Sequence, residues 1–115
     1  MKKVNSDDEE VFVDCPVANV QKIVSGKWSM VILYFLHQKT LRFGELSRKL
    51  PLVTQSQLTK ELRMLESYGL INRKVYPQVP PKVEYSTTEL GEKFVPVLKA
   101  LEKFADIYES EKVNK

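Results

Sequence analysis

Cysteine, histidine and tryptophan each occur once in this sequence, and the scarcity of the first two excludes whole classes of chemistry. One thiol cannot build a disulfide framework within a chain, and one Cys with one His cannot complete a Cys/His zinc cage. The four glycines stand apart from one another, so no Gly-rich loop is available to cradle phosphate. No apolar run approaches the roughly 20 residues that span a bilayer. The opening stretch MKKVNSDDEE has no apolar core, which argues against a secretory signal and makes the cytoplasm the expected location. Internal repeats and low-complexity stretches are also missing.

What remains is globular. The 115 residues are 43% hydrophobic and 29% charged, enough apolar content for a core and a length suited to one domain. The net charge of +3 hides an asymmetry: residues 1–14 sum to −3, residues 15–82 to +8 and residues 83–115 to −2. A basic middle between acidic ends suits a polyanionic partner, nucleic acid first, although a merely solvated face has the same signature.

The pattern along the chain predicts a polar, acidic tail over residues 1–13, a folded domain over 14–110 and a short tail over 111–115. Pro16 suits the first position of a helix whose apolar residues Val17, Val20, Ile23 and Val24 recur at helical spacing before Gly26. A second helix over about 27–38 places Trp28, Val31, Ile32, Phe35 and Leu36 on one face. A short extended piece, Thr40 to Phe43, leads into a compact helix ended by Pro51. Thr54 and Gln57 then match a capping box ahead of a helix that buries Leu58, Leu62 and Leu65, with Gly69 placed to end it. Two β-rich runs, residues 70–76 and 83–87, flank a Pro-stiffened tip and read as a hairpin. Thr87 or Thr88 caps a long final helix, with Pro96 expected to kink or break it. That helix carries more apolar residues than one small domain can cover, so part of the stripe, including Phe94, Leu98, Leu101, Phe104 and Tyr108, is expected on a second chain.

The expected fold is mainly α with a small β-wing: a winged helix-turn-helix with dimerising first and C-terminal helices. The capped helix displays Gln55, Ser56, Thr59, Lys60 and Arg63 opposite its leucines, with Gln57 at its start. A helix in the major groove reads base edges with its first turns; Gln pairs bidentately with adenine, and Lys60 or Arg63 can reach guanine or phosphate. Arg73, Lys74 and Lys82 on or near the hairpin would clamp the backbone, with Arg42 and Lys49 flanking.

Several motifs occur in order: Cys15-Pro16-Val17, Gly26-Lys27-Trp28, Arg42-Phe43-x-Glu45-Leu46, Leu58-Thr59-x-x-Leu62-x-x-Leu65 and Gly69-Leu70-Ile71. They continue as Arg73-x-Val75-Tyr76-Pro77-x-Val79-Pro80-Pro81-x-Val83-Glu84-Tyr85-Ser86 and Thr88-Glu89-Leu90-Gly91. Over about residues 15–105 the chain closely resembles the HxlR family of bacterial transcriptional regulators, which are MarR-like winged-helix proteins. The resemblance implies a cytoplasmic homodimer on a palindromic double-stranded DNA operator. It also adds Val17 and Val20 of the first helix to the dimer interface. Ser86-Thr87-Thr88 departs from the family's usual Ser/Arg-Leu-Thr, and the operator sequence does not transfer because the recognition helix varies.

The resemblance further implies a thiol sensor at Cys15, answering to an oxidant or electrophile. A helix N-terminus stabilises a thiolate, while Asp14 works against it. The competing reading is a small residue at the dimer contact. With one thiol per chain, sensing means an inter-subunit disulfide, a mixed disulfide with a small thiol, or alkylation. Trp28 and Phe35 read as core, and His37 as a cap or surface residue. A Cys15–His37 nucleophilic pair would lack an orienting third group. No enzyme activity, catalytic set, metal ligands, cofactor or membrane partner is expected. The rival function is a winged-helix protein–protein module without DNA.

Overall fold

The computed structural model describes residues 15–113, leaving the expected acidic tail over 1–13 and the last two residues outside the described part. Cys15 is the extended N-cap and Pro16 the first residue of α1, Pro16–Ile23, where a missing N–H breaks no helical bond. In α2, Ser29–Gln38, three apolar residues are buried: Ile32, Leu33 and Leu36. Trp28, Val31 and Phe35 are only partly covered, and Leu33 joins the core from outside the expected stripe. The reason is tertiary: α2 is packed by the sheet, by the helix that carries Leu58, Leu62 and Leu65, and by the last helix, so more than one of its faces is covered.

The chain then forms β1, Leu41–Arg42, and α3, Phe43–Lys49, with α4, Gln55–Ser67, after a short loop. The Thr54 half of the expected capping box is present: its Oγ1 accepts from the Gln57 N–H at 3.0 Å. Leu58, Leu62 and Leu65 are fully buried, as their spacing requires. Gly69, at φ +80°, ends α4 in a Schellman turn, Leu70 N–H donating to the Leu65 carbonyl and Gly69 N–H to that of Glu66.

β2, Ile71–Tyr76, and β3, Lys82–Thr87, make the hairpin, and β1 adds to the far edge of β3, giving an antiparallel sheet of order β1-β3-β2. Its register sets Leu41, Tyr85 and Arg73 in one row and Arg42, Glu84 and Lys74 in the next. Adjacent rows face opposite sides of a sheet.

The final helix is two helices. Thr88 caps α5, Glu89–Glu92, by accepting from the Gly91 N–H, and α6, Val95–Val113, begins with Pro96 in its first turn. Pro96 therefore marks the break. Past it, α6 continues helical to Val113, beyond the expected domain end at 110. The start of α6 packs on α2, which corrects one expected interface residue: Leu98 is 5% exposed and belongs to the chain's own core.

Two polar contacts hold α2 to this C-terminal segment. The Tyr34 hydroxyl donates to Glu102 at 2.5 Å, and Glu102 holds that phenol's pKa above its ordinary value. His37 Nδ1 lies 3.0 Å from Glu92 and, facing a group that only accepts, must carry the proton. The Thr87 hydroxyl, then the His37 ring, hold the Glu92 carboxyl below the usual range. A depressed carboxylate contributes stability above its unfolded value and loses it as pH falls through the folded one. Glu92→Gln should therefore be less stable than the parent at pH 7, by denaturant titration. The gap should shrink as pH drops below the ordinary 4.5 and close beneath the folded-state value. A gap independent of pH would contradict the pairing.

Candidate nucleic-acid interface

Because Leu58, Leu62 and Leu65 anchor α4 to the core, its opposite side must face out. Gln55, Ser56, Lys60 and Arg63 are exposed there, and Gln57 and Thr59 are half-buried. Alongside this face is a polar cleft of about 380 Å³, bordered by Thr59, Arg63 and Glu66 of α4, Arg73 of β2, and the rings of Phe43 and Tyr85. Arg73 reaches it because its row of the sheet faces α4. The structure thus brings Thr59 and Arg63 of α4 together with Arg73 of β2.

The other basic residues are placed elsewhere. Arg42 and Lys74 flank Glu84 on the opposite face of the sheet. Lys82 is half-buried, its Nζ 3.4 Å from Glu84 and 4.5 Å from the centre of the Tyr76 ring. Lys74 lies over the same ring at 4.9 Å. The Tyr76 hydroxyl donates to Glu84 at 3.0 Å, and this bond, with Lys82 and Arg42 nearby, holds the Glu84 carboxyl below its usual range. Lys82 is consequently less available to a partner than its sequence position suggests. Lys49 rests over the Phe35 ring at 5.3 Å, beside α2.

Of the expected interface residues, Val17 is 74% exposed and Phe104 59%, with Val20, Leu101 and Tyr108 also exposed. Phe94 is half-buried. Ile107, three residues after Phe104 on the same face of α6, was not singled out from the sequence and is equally exposed. An apolar groove of about 470 Å³ runs between α1 and α6, bordered by Val17, Val20, Phe94 and Val97. Cys15 is a free, exposed thiol at the start of this groove's α1 wall.

Glu61 was overlooked. It sits on the buried stripe of α4 at positions 58, 61, 62 and 65, and its carboxylate accepts from the Trp28 backbone N–H at 2.8 Å. An acid at a core position of an amphipathic helix was the available signal. Among the described residues no cluster of three or more His, Cys, Asp or Glu could hold a metal ion, and no helix is long and apolar enough to cross a membrane.

The HxlR-like helix-turn-helix profile matches residues 23–113, nearly all of the described fold. The chain belongs to the HxlR-like family. Within this family it is similar to an uncharacterized HTH-type transcriptional regulator of Methanothermobacter thermautotrophicus, 45% identical over 94% of this chain and 80% of the relative. Among solved structures it resembles the redox regulator HypR in its oxidized form, 40% identical, TM-score 0.76, covering 80% of this chain and 95% of HypR. A MarR-family transcriptional regulator from Porphyromonas gingivalis W83 matches at 38% identity and TM-score 0.77, over 90% of this chain and 96% of that one. In HxlR-like terms α3 and α4 are the helix-turn-helix, α4 is the recognition helix and the β2–β3 hairpin is the wing. The mainly helical fold with a three-stranded sheet is the winged helix expected from the sequence.

Proposed function

We propose that this HxlR-like protein is a cytoplasmic, sequence-specific DNA-binding transcriptional regulator that acts as a homodimer on a palindromic double-stranded operator. The observation that carries this reading is the outward face of α4 meeting Arg73 at one polar cleft, on the most basic part of the chain. Gln55, Ser56 and Gln57, on the first turn, read base edges in the major groove, while Lys60, Arg63 and Arg73 engage guanine or phosphate. The exposed apolar residues of α1 and α6 support a second copy as partner, which sets two recognition helices about one helical turn of DNA apart. Family membership among HTH-type regulators favours this over the protein–protein module. No catalytic role is assigned.

Cys15 is the sensor in this reading. Its exposure, its place at the N-terminus of α1 beside the apolar groove, and the similarity to a redox regulator support it. In the disulfide form two Cys15 thiols lose two protons and two electrons to an oxidant; an electrophile instead alkylates the thiolate. Either event changes the separation of the two recognition helices.

Footprinting on genomic fragments tests the DNA reading: a protected site with two-fold symmetry is expected, and no preferred site at moderate salt sinks it. Cys15→Ser, assayed with and without a mild oxidant, tests the sensor. The parent should change affinity and the variant should not; equal responses remove Cys15 from the mechanism.

A further inference from the structure

We infer that Glu61 is a positioning residue that fixes the roll of the recognition helix, and through it the sequence discrimination of the protein, by docking α4 on the α1–α2 turn. The inference rests on the DNA-binding reading above. Glu61 is 4% exposed, and its Oε1 accepts from the Trp28 N–H at 2.8 Å, at the N-terminal end of α2 where the helix dipole favours a carboxylate. The turn is shaped around that carboxyl group. A Cβ on Gly26 would lie 2.7 Å from Glu61 Oε1, 2.9 Å from its Cδ and 2.5 Å from Ser29 Oγ. Ser29 is itself fully buried, and its hydroxyl is the buried side-chain group without a partner among the described residues.

An acid buried on an apolar stripe contributes little net stability, because an apolar residue of similar size packs there without desolvation. What it adds is direction. Leu58, Leu62 and Leu65 hold α4 to the core by contacts that tolerate small rotations, whereas a hydrogen bond weakens steeply when misaligned. The reading residues project from the far side of the same helix. At a side-chain radius of about 5–6 Å, a roll of about 20° shifts their tips by about 2 Å, enough to break bidentate contact with a base edge. Phosphate contacts made by long Lys and Arg side chains tolerate such a shift, so specificity should suffer more than affinity.

The test compares E61L, E61Q and G26A with the parent on two duplexes of equal composition: the site the parent selects, and a scrambled version. In E61L the ratio of affinities for the two duplexes should fall about tenfold or more, while binding to the scrambled duplex stays within about threefold. G26A drives a methyl group into the same carboxyl and should reproduce that loss from the opposite side of the contact. E61Q keeps an acceptor oxygen and should retain the parental ratio. Unchanged ratios in folded E61L and G26A overturn the proposal. Loss of folding in both also overturns it, since Glu61 would then serve stability alone. If the parent itself prefers neither duplex, the DNA reading fails, and that result is visible before any variant is made.

Discussion

Replacing Arg63 and Arg73 together by alanine should weaken operator binding by about 2–6 kcal/mol, roughly 30-fold to 20,000-fold, since each guanidinium contact to base or phosphate contributes about 1–3 kcal/mol. Both residues border one cleft, yet they come from α4 and β2, so neither supports the other's helix or strand. Their removal should leave the unfolding midpoint close to the parent's, because both side chains are exposed. Salt dependence separates their roles. A residue on phosphate lowers the slope of log K against log salt by about one, whereas a residue on guanine relaxes the preference at one base pair. If the two arginines grip the same group, the double variant loses less than the two singles combined. Lys82→Ala is the internal control. That side chain is already paired with Glu84 and laid over Tyr76, so its removal should cost DNA binding far less. Equal losses at Lys82 and Arg73 would show that the paired face of the sheet meets the nucleic acid as closely as the α4 side does.

Gly91→Ala should cost about 3 kcal/mol and lower the melting temperature by about 10–20 °C, as measured by calorimetry or circular dichroism. Gly91 is buried in α5, and a Cβ there would fall on the backbone oxygen of Leu70, far inside the 3.0 Å that real side chains respect. A side chain could swing aside, but that oxygen is fixed. It follows the Schellman turn of α4 and accepts from the Thr88 N–H at 3.0 Å, while the Thr88 hydroxyl donates to the Gly69 carbonyl at 2.6 Å. Relief therefore requires α5 to lift from the α4–β2 junction and strain the Thr88 cap. Since α5 is the root of α6, the same shift moves the exposed apolar stripe on which dimerisation is proposed. Weaker association should accompany the lower melting temperature, read by sedimentation. Gly44→Ala offers the contrast. There a Cβ meets only the end of Arg48, at 3.7 Å, so alanine in α3 should be tolerated or stabilise by up to about 1 kcal/mol. Equal destabilisation at both sites would mean that the close approach at Leu70 is not what matters.

Most of the secondary structure was legible because its causes are local. The leucine spacing in α4, the Thr54 cap, Gly69 at a left-handed turn, Pro16 at a helix start and Pro96 at a helix break are all set within a few residues of chain. The family was legible too, because its motifs are short and ordered along the sequence. What the sequence alone left open concerns pairs distant in the chain. It singled out Arg73, Lys74 and Lys82 as a group, but strand register, set by which hydrogen bonds form across β2, β3 and β1, sends Arg73 to the α4 side and pairs Lys82 with Glu84. Leu98 has the same helical spacing as Leu101, and only the packing of α6 on α2 buries the one and leaves the other exposed. Glu61 is one more acid in the sequence. Folding brings it to a backbone N–H 33 residues away, where its carboxyl group replaces water with a single directed bond. The chain's scarcities thus excluded a zinc cage or a disulfide framework built within one copy of this sequence, since folding cannot supply residues that are not there. Which charges are free to meet a partner was decided by tertiary structure, because availability depends on neighbours that only folding supplies.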